Sequence, residues 1–199
     1  MKGFDAPTPV DAVIPRIKAH GYGFVVRYMS YNQHKNLSPG EARKLSAAGL
    51  DLVAVFEARG NVIDNFTPEQ GAKDAAQALH LAAQIDQPEG SAVYFAVDLD
   101  ATAHQIIVAI MPYFAAVKKG IVGKYRIGVY GSGLVCDSLR KAGLAELFML
   151  ACAGGWQGTK MFTGAHLRQS LPTGRDGFGF QVDPDEAMTS DFGQFRVPA

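Results

Sequence analysis

Residues 92–100 read Ala-Val-Tyr-Phe-Ala-Val-Asp-Leu-Asp, and this stretch decides the fold. Six consecutive apolar residues ending in two acids predict a strand buried on both faces, because a half-exposed strand would alternate apolar with polar. The same unit recurs on either side. Runs at 23–28 (GFVVRY), 52–56 (LVAVF), 125–130 (YRIGVY) and 147–151 predict further buried strands, and 2–4 a short one ending at Asp5. Helical stretches separate them. One is predicted over 10–20. The next carries Ser38 as N-cap, Pro39 at the first helical position and Glu41 two further on, with Gly49 as its stop. Thr67-Pro68-Glu69-Gln70 repeats that signature and opens a helix to about residue 85. Thr102 caps another to about 119, in which Pro112 should make a kink or mark a late first turn. A last helix is predicted over 134–142. Beyond 151 the pattern changes: 154–164 is loop-like, and strands near 165–168 and 178–182 follow without room for full helices. Eight strands with about five helices predict an α/β chain forming one domain over 1–199, a shortened TIM-like (β/α)5β3 barrel. A doubly wound open sheet is the alternative.

Composition narrows the function. With 19 Lys+Arg against 19 Asp+Glu the chain is formally neutral, which argues against the basic excess that nucleic-acid binding needs. Apolar residues make up 48% and charged ones 19%, so a buried core is expected rather than disorder. No stretch approaches the ~18 apolar residues of a membrane span. The N-terminus Met-Lys-Gly-Phe-Asp has no apolar core of a signal peptide. Cys136 and Cys152 have no metal-ligand spacing and are expected as reduced thiols. There is no nucleophile elbow, Walker loop or dinucleotide fingerprint, and no cofactor or metal is expected.

In β/α barrels the working groups sit at the C-terminal ends of the strands. Here those ends carry Asp5, Arg27-Tyr28, Glu57, Asp98-Leu99-Asp100, Tyr130 and Asp183. Five acids (Asp5, Glu57, Asp98, Asp100 and Asp183) are thus expected at one mouth, where crowding raises some pKa values and creates an acid/base pair. Asp98 and Asp100, as i and i+2 of a strand, are expected to face the same side, with Cα atoms roughly 6.5 to 7 Å apart. His104 is read as a solvated helix residue. Tyr28, Tyr31, Tyr130 and the single tryptophan, Trp156, fall at strand ends or in the loops that follow. Their amphipathic rings suit the apolar faces and polar edges of sugars.

Gly3-Phe4-Asp5, Arg27-Tyr28, Asp98-Leu99-Asp100 and YRIGVYGSG at 125–133 resemble a glycoside-hydrolase-like domain family, domain of unknown function 1906. The Ala142–Ala145 stretch, the Gly155-Trp156-Gln157-Gly158 loop, Gln169 and Asp183 extend the match to about residues 2–185. That family is similar to the family 25 glycoside hydrolase lysozymes. The resemblance implies a barrel of five α/β units plus three strands and cleavage of the β-1,4 bond after N-acetylmuramic acid in peptidoglycan. It implies catalytic carboxylates at Asp98 and Asp100, assisted by Asp5 and Asp183. Two departures stand out. Asp100 replaces the Glu of the lysozyme motif, one methylene shorter, which makes Glu57 a candidate proton donor. His166 stands where relatives often carry Trp.

The expected function is therefore a peptidoglycan-degrading glycosidase. Asp98, Asp100 and Glu57 are its catalytic candidates, and Asp5, Arg27, Tyr28, Tyr130, Trp156, Gln169 and Asp183 its substrate-binding ones. The alternatives are a non-catalytic wall-binding module that uses the same mouth and, more weakly, a metal-dependent hydrolase. The partner expected is the peptidoglycan glycan strand, met by a monomer. Without a leader or a membrane segment, the chain is expected to be made in the cytoplasm. It would reach the wall through a phage holin or a secretion machine.

Overall fold

Each continuous apolar run forms a strand in the computed structural model, which describes residues 1–171 and 182–198. The strands are β1 (Lys2–Ala6), β2 (Phe24–Met29), β3 (Asp51–Phe56), β4 (Ala92–Ala96), β5 (Arg126–Gly131), β6 (Leu147–Leu150), β7 (Leu167–Gln169) and β8 (Asp183–Ala187). They close into a barrel in sequence order. Neighbours from β1 to β7 pair in parallel, whereas β8 runs antiparallel to both β7 and β1. The eighth strand thus differs from the one expected over 178–182. Residues 178–181 lie outside the described residues, Val182 forms only a bridge, and the strand starts at Asp183. Because β8 is reversed, Asp183 opens it rather than ends it. Pairing Asp5 with Asp183 still brings this residue to the same rim.

Five helices wrap the strands: α1 (Ile14–Ala19), α2 (Pro39–Ala47), α3 (Pro68–Gln84), α4 (103–121) and α5 (Gly133–Lys141). The first is shorter than expected, a 3-10 turn at Asp11–Val13 taking up its start. The predicted caps form: Ser38 Oγ accepts from the Glu41 amide at 3.2 Å and Thr67 Oγ1 from the Gln70 amide at 3.1 Å. Thr102 completes a capping box with Gln105. Each such cap contributes about 1 kcal/mol. α4 starts at Ala103–Gln105, widens into a π turn at Ile106–Ile110 and continues as α-helix over Met111–Ile121. Pro112 has no N–H for the carbonyl one turn back, and the irregularity falls on that turn. Gly71 lets α3 lie directly on α4, since a Cβ there would strike the Tyr113 carbonyl.

Two cores result. One fills the space between strands and helices around Phe4, Leu45, Phe95, Phe114 and Val129. The other fills the barrel interior with Phe24, Val26, Val53, Val55, Tyr94, Leu147, Met149 and Leu167. Phe192, beyond β8, closes the bottom: its ring packs 5.1 Å from that of Phe24, and its carbonyl accepts from the Tyr94 hydroxyl at 2.8 Å. The opposite end, where the parallel strands finish, stays open. Among the described residues no helix is long and apolar enough to cross a membrane.

Candidate active site

The open end holds a cleft of about 250 Å³ lined by Asp5, Tyr28, Glu57, Asp98, Tyr130, Cys152, Gln169 and Asp183 over a floor of Val26, Val55, Ala96 and Met149. Local backbone bonds set the rim. The Glu57 amide donates to the Met29 carbonyl at 2.9 Å, carrying the β2–β3 ladder one residue past the strand so that Glu57 stands at the lip. The Asp98 amide donates to the Gly60 carbonyl at 2.8 Å. A Cβ on Gly60 would lie 2.9 Å from the Ala96 carbonyl oxygen, so only glycine lets this loop close over β4.

On the β8–β1 side, Asp5 is buried and accepts twice: from the Tyr28 hydroxyl at 2.9 Å and from Gln169 Nε2 at 2.8 Å. Gln169 Oε1 in turn accepts from the Tyr130 hydroxyl at 2.9 Å. One chain of hydrogen bonds therefore joins strands β2, β1, β7 and β5. Burial pushes the Asp5 carboxyl well above the usual range, the two hydrogen bonds oppose this, and the charges of Asp183 and Glu57 add to it. Burial also raises Asp183, one of whose oxygens has no hydrogen-bond partner among the described residues.

The β3–β4 side is wetter. Glu57 and Asp98 are half-buried. Burial raises Glu57 first; the Lys35 ammonium pulls it back and the Asp98 charge raises it again. Asp98 is also raised by burial, but the Tyr130 hydroxyl works against the shift by favouring its ionised form. Lys35 hangs over the Tyr28 ring, 5.9 Å from its centroid.

Of the ten candidate residues, seven meet in this cleft: Asp5, Tyr28, Glu57, Asp98, Tyr130, Gln169 and Asp183. Three do not. Arg27 points outward between strands and helices, fully buried, with Nε and Nη2 on Glu41 at 2.9 and 3.1 Å, and it also donates to the Ala6 carbonyl. Strand alternation explains this, since Val26 and Tyr28 face inward and Arg27 must face out. Asp100 lies outside because β4 ends at Ala96, so the i, i+2 rule no longer applies. It is exposed and accepts from the Gln157 amide at 2.8 Å, pinning the loop after β6. Trp156 is half-buried in that loop, beside the cleft rather than in its wall. Two other sequence expectations also change. Tyr31 donates to Asp74 at 2.9 Å on the outer wall, and His166 lies at the closed bottom, where its Nδ1 accepts from the Phe148 amide at 3.2 Å.

Lys35 and Asp185 near the cleft were not anticipated, and Cys152, at the end of the sixth strand, was expected only as a reduced thiol. Asp185 is 3% exposed, and neither of its oxygens has a hydrogen-bond partner among the described residues. It lies two residues along β8 from Asp183 and so faces the barrel interior, where burial and the charges of Asp5 and Asp183 drive it far above the ordinary carboxylate range. The alternation applied to Asp98 and Asp100 would have found it in Asp183-Pro184-Asp185. Among the described residues no group of His, Cys, Asp and Glu is arranged to hold a metal ion.

A family model, Rv2525c-like, glycoside hydrolase-like domain, matches residues 15–181. The chain belongs to this family. Its sequence is similar to that of FadG from Bacillus subtilis (strain 168), 31% identical over 151 residues that cover 71% of this chain and 26% of FadG. The chain thus spans about a quarter of that relative. The fold is similar to the Mycobacterium tuberculosis Tat-secreted protein Rv2525c in complex with L-tartrate: TM-score 0.85, 25% identity, with 97% of this chain and 98% of that one covered. It is also similar to a bacterial lysozyme from Streptomyces coelicolor, with TM-score 0.58, 15% identity and 96% and 93% coverage. A third likeness is the modular autolysin LytC of Streptococcus pneumoniae in complex with a synthetic peptidoglycan ligand: TM-score 0.61, 12% identity, 92% and 46% coverage. At such identities the last two establish a shared fold.

Proposed function

We propose that this domain hydrolyses a glycosidic bond in peptidoglycan, with Glu57 as general acid and Asp98 as its ionised partner. The observation that carries the reading is that Glu57 and Asp98 share one open cleft, in which the Asp98 charge acts on Glu57. Two neighbouring carboxyls whose surroundings differ separate into an acid and a base. Burial raises both carboxyls; the Tyr130 hydroxyl opposes the rise of Asp98, while Lys35 opposes and the Asp98 charge adds to that of Glu57. We take Glu57 as the acid because its longer arm stands at the lip of the cleft. Glu57 would then protonate the leaving oxygen. Asp98 would orient the 2-acetamido group for internal attack or stabilise the oxocarbenium-like centre. Tyr28 and Tyr130 offer rings to the sugar, their hydroxyls held by Asp5 and Gln169.

The test is to incubate purified protein with isolated cell walls, count new reducing ends and identify the cut bond by mass spectrometry of the products. Absence of new ends from pH 4 to pH 8 overturns the proposal, as does full activity in both Glu57→Gln and Asp98→Asn. The withdrawal of Asp100 from the cleft favours a second reading, a wall-binding module without cleavage. Binding to walls with no new reducing ends supports it.

A further inference from the structure

Charge is distributed unevenly around the cleft. Its wall carries four carboxylates (Asp5, Glu57, Asp98 and Asp183), and among its described lining residues there is no lysine, arginine or histidine. The nearby ammonium of Lys35 is exposed at the lip and acts on Glu57, on the β3–β4 side. The β8–β1 side has no such counterion among the described residues. Asp183 keeps one buried oxygen without a hydrogen-bond partner there. Beneath it Asp185, 3% exposed and unpartnered at both oxygens, faces the interior and acts electrostatically on Asp5, Tyr130 and Cys152. An acid buried without a donor is costly to ionise, and a cation brought close to it relieves that cost. Elsewhere the fold pairs a buried acid directly, as with Glu41 and Arg27. On the β8–β1 side no such partner stands among the described residues.

We infer that the Asp5–Asp183 side of the cleft is a subsite for a 2-amino sugar whose amine is free, so that the glycan is recognised in a de-N-acetylated form. Asp183 receives the ammonium at its carboxyl, which lines the cleft, and Asp5, already accepting from Tyr28 and Gln169, lies beside it. A neutral acetamido group at this place would give an N–H to Asp183 but no positive charge to relieve the cost of ionising acids in this crowded, buried place. The reacting sugar at the Glu57–Asp98 side can still carry its acetamido group, because the two sides occupy different strands of the rim. The inference rests on the glycan-cleft reading above and names the substrate class within it.

The experiment compares peptide-free tetramers of β-1,4-linked glucosamine and N-acetylglucosamine by calorimetric titration at pH 7, so that only the sugar can supply the ammonium. Binding of the glucosamine tetramer about ten-fold tighter is expected, the scale of one charge-assisted hydrogen bond. In Asp183→Asn the preference falls to within about two-fold, and in Asp183→Glu, which keeps the charge, it is retained; thermal melts verify that both variants fold. Equal affinity for the two tetramers overturns the inference. So does a preference that survives Asp183→Asn, or spermine binding as tightly as the amino sugar. Its failure is separable from that of the glycosidase. Reducing ends released equally from acetylated and de-N-acetylated walls leave the enzyme standing and remove this subsite. Asp183-dependent binding of the amino sugar with no release from any wall does the reverse.

Discussion

The two sides of the cleft use the same chemistry to different ends. On the β3–β4 side, Glu57 and Asp98 are half-buried and burial raises both, with Lys35 opposing the rise of Glu57 and the Tyr130 hydroxyl that of Asp98. On the β8–β1 side, Asp5 and Asp185 are almost completely buried, and one has two donors while the other has none among the described residues. A carboxyl that exchanges protons during turnover needs solvent and a partner of different affinity. A carboxyl that supplies a fixed field does better buried and held. In the proposed function, proton transfer therefore falls to the first pair and electrostatic binding to the second.

The largest expected effect tests that division directly. Glu57→Gln should lower the rate of reducing-end release on cell walls by about 10³-fold, within the range for a lost general acid. Wall binding, measured by co-sedimentation, should change little. Comparable losses of rate and binding would place Glu57 with the binding groups.

A second test contrasts two buried acids, Glu41 with its arginine and Asp185 with no partner among the described residues. Arg27→Ala leaves the Glu41 charge buried and unpaired, which should destabilise the fold by about 3–5 kcal/mol in urea denaturation. A loss under about 1 kcal/mol would mean that Glu41 escapes to solvent or takes up a proton easily.

The pH dependence of stability follows from the raised carboxyls. Asp5, Glu57, Asp98, Asp183 and Asp185 all bind protons more tightly in the folded chain than in the unfolded one. Their contribution is fully present below the unfolded Asp value of about 3.9 and is lost as pH rises through the raised folded values. Melting temperature should therefore fall from mildly acidic to alkaline pH. Asp185→Asn should flatten that slope and raise the melting temperature at alkaline pH, because an amide in this place never has to ionise. An unchanged slope would show that Asp185 is not the principal buried acid.

The smallest effect is expected at Asp100. Asp100→Asn keeps an oxygen for the Gln157 amide, so stability should change by less than about 1 kcal/mol and the cleavage rate by less than about three-fold. A drop approaching that of Glu57→Gln would return Asp100 to the catalytic pair.

Much of the barrel follows from local pattern: apolar runs bounded by caps, each with an acid or tyrosine at its end. Glu57, Asp98, Tyr28 and Tyr130 were legible as mouth residues for that reason. The errors arose where an element's end or facing direction mattered. Arg27 adjoins Tyr28 in sequence, yet alternation turns the two to opposite faces. Asp100 would have faced the cleft had β4 run four residues further. Asp185 was hidden by placing the last strand too early and in the wrong direction.

The sequence by itself determined the element order, the capped helices and the ring of acids, because periodicity and capping act over a few residues and are written in them. Tertiary structure decided how the acids are used. Closure of the barrel by the reversed β8 sets Asp183 opposite Asp5 and buries Asp185 beneath them, and the Gln157 contact draws Asp100 away. The state of a carboxyl depends on water, charge and donors brought from distant parts of the chain, and only the closed barrel sets these.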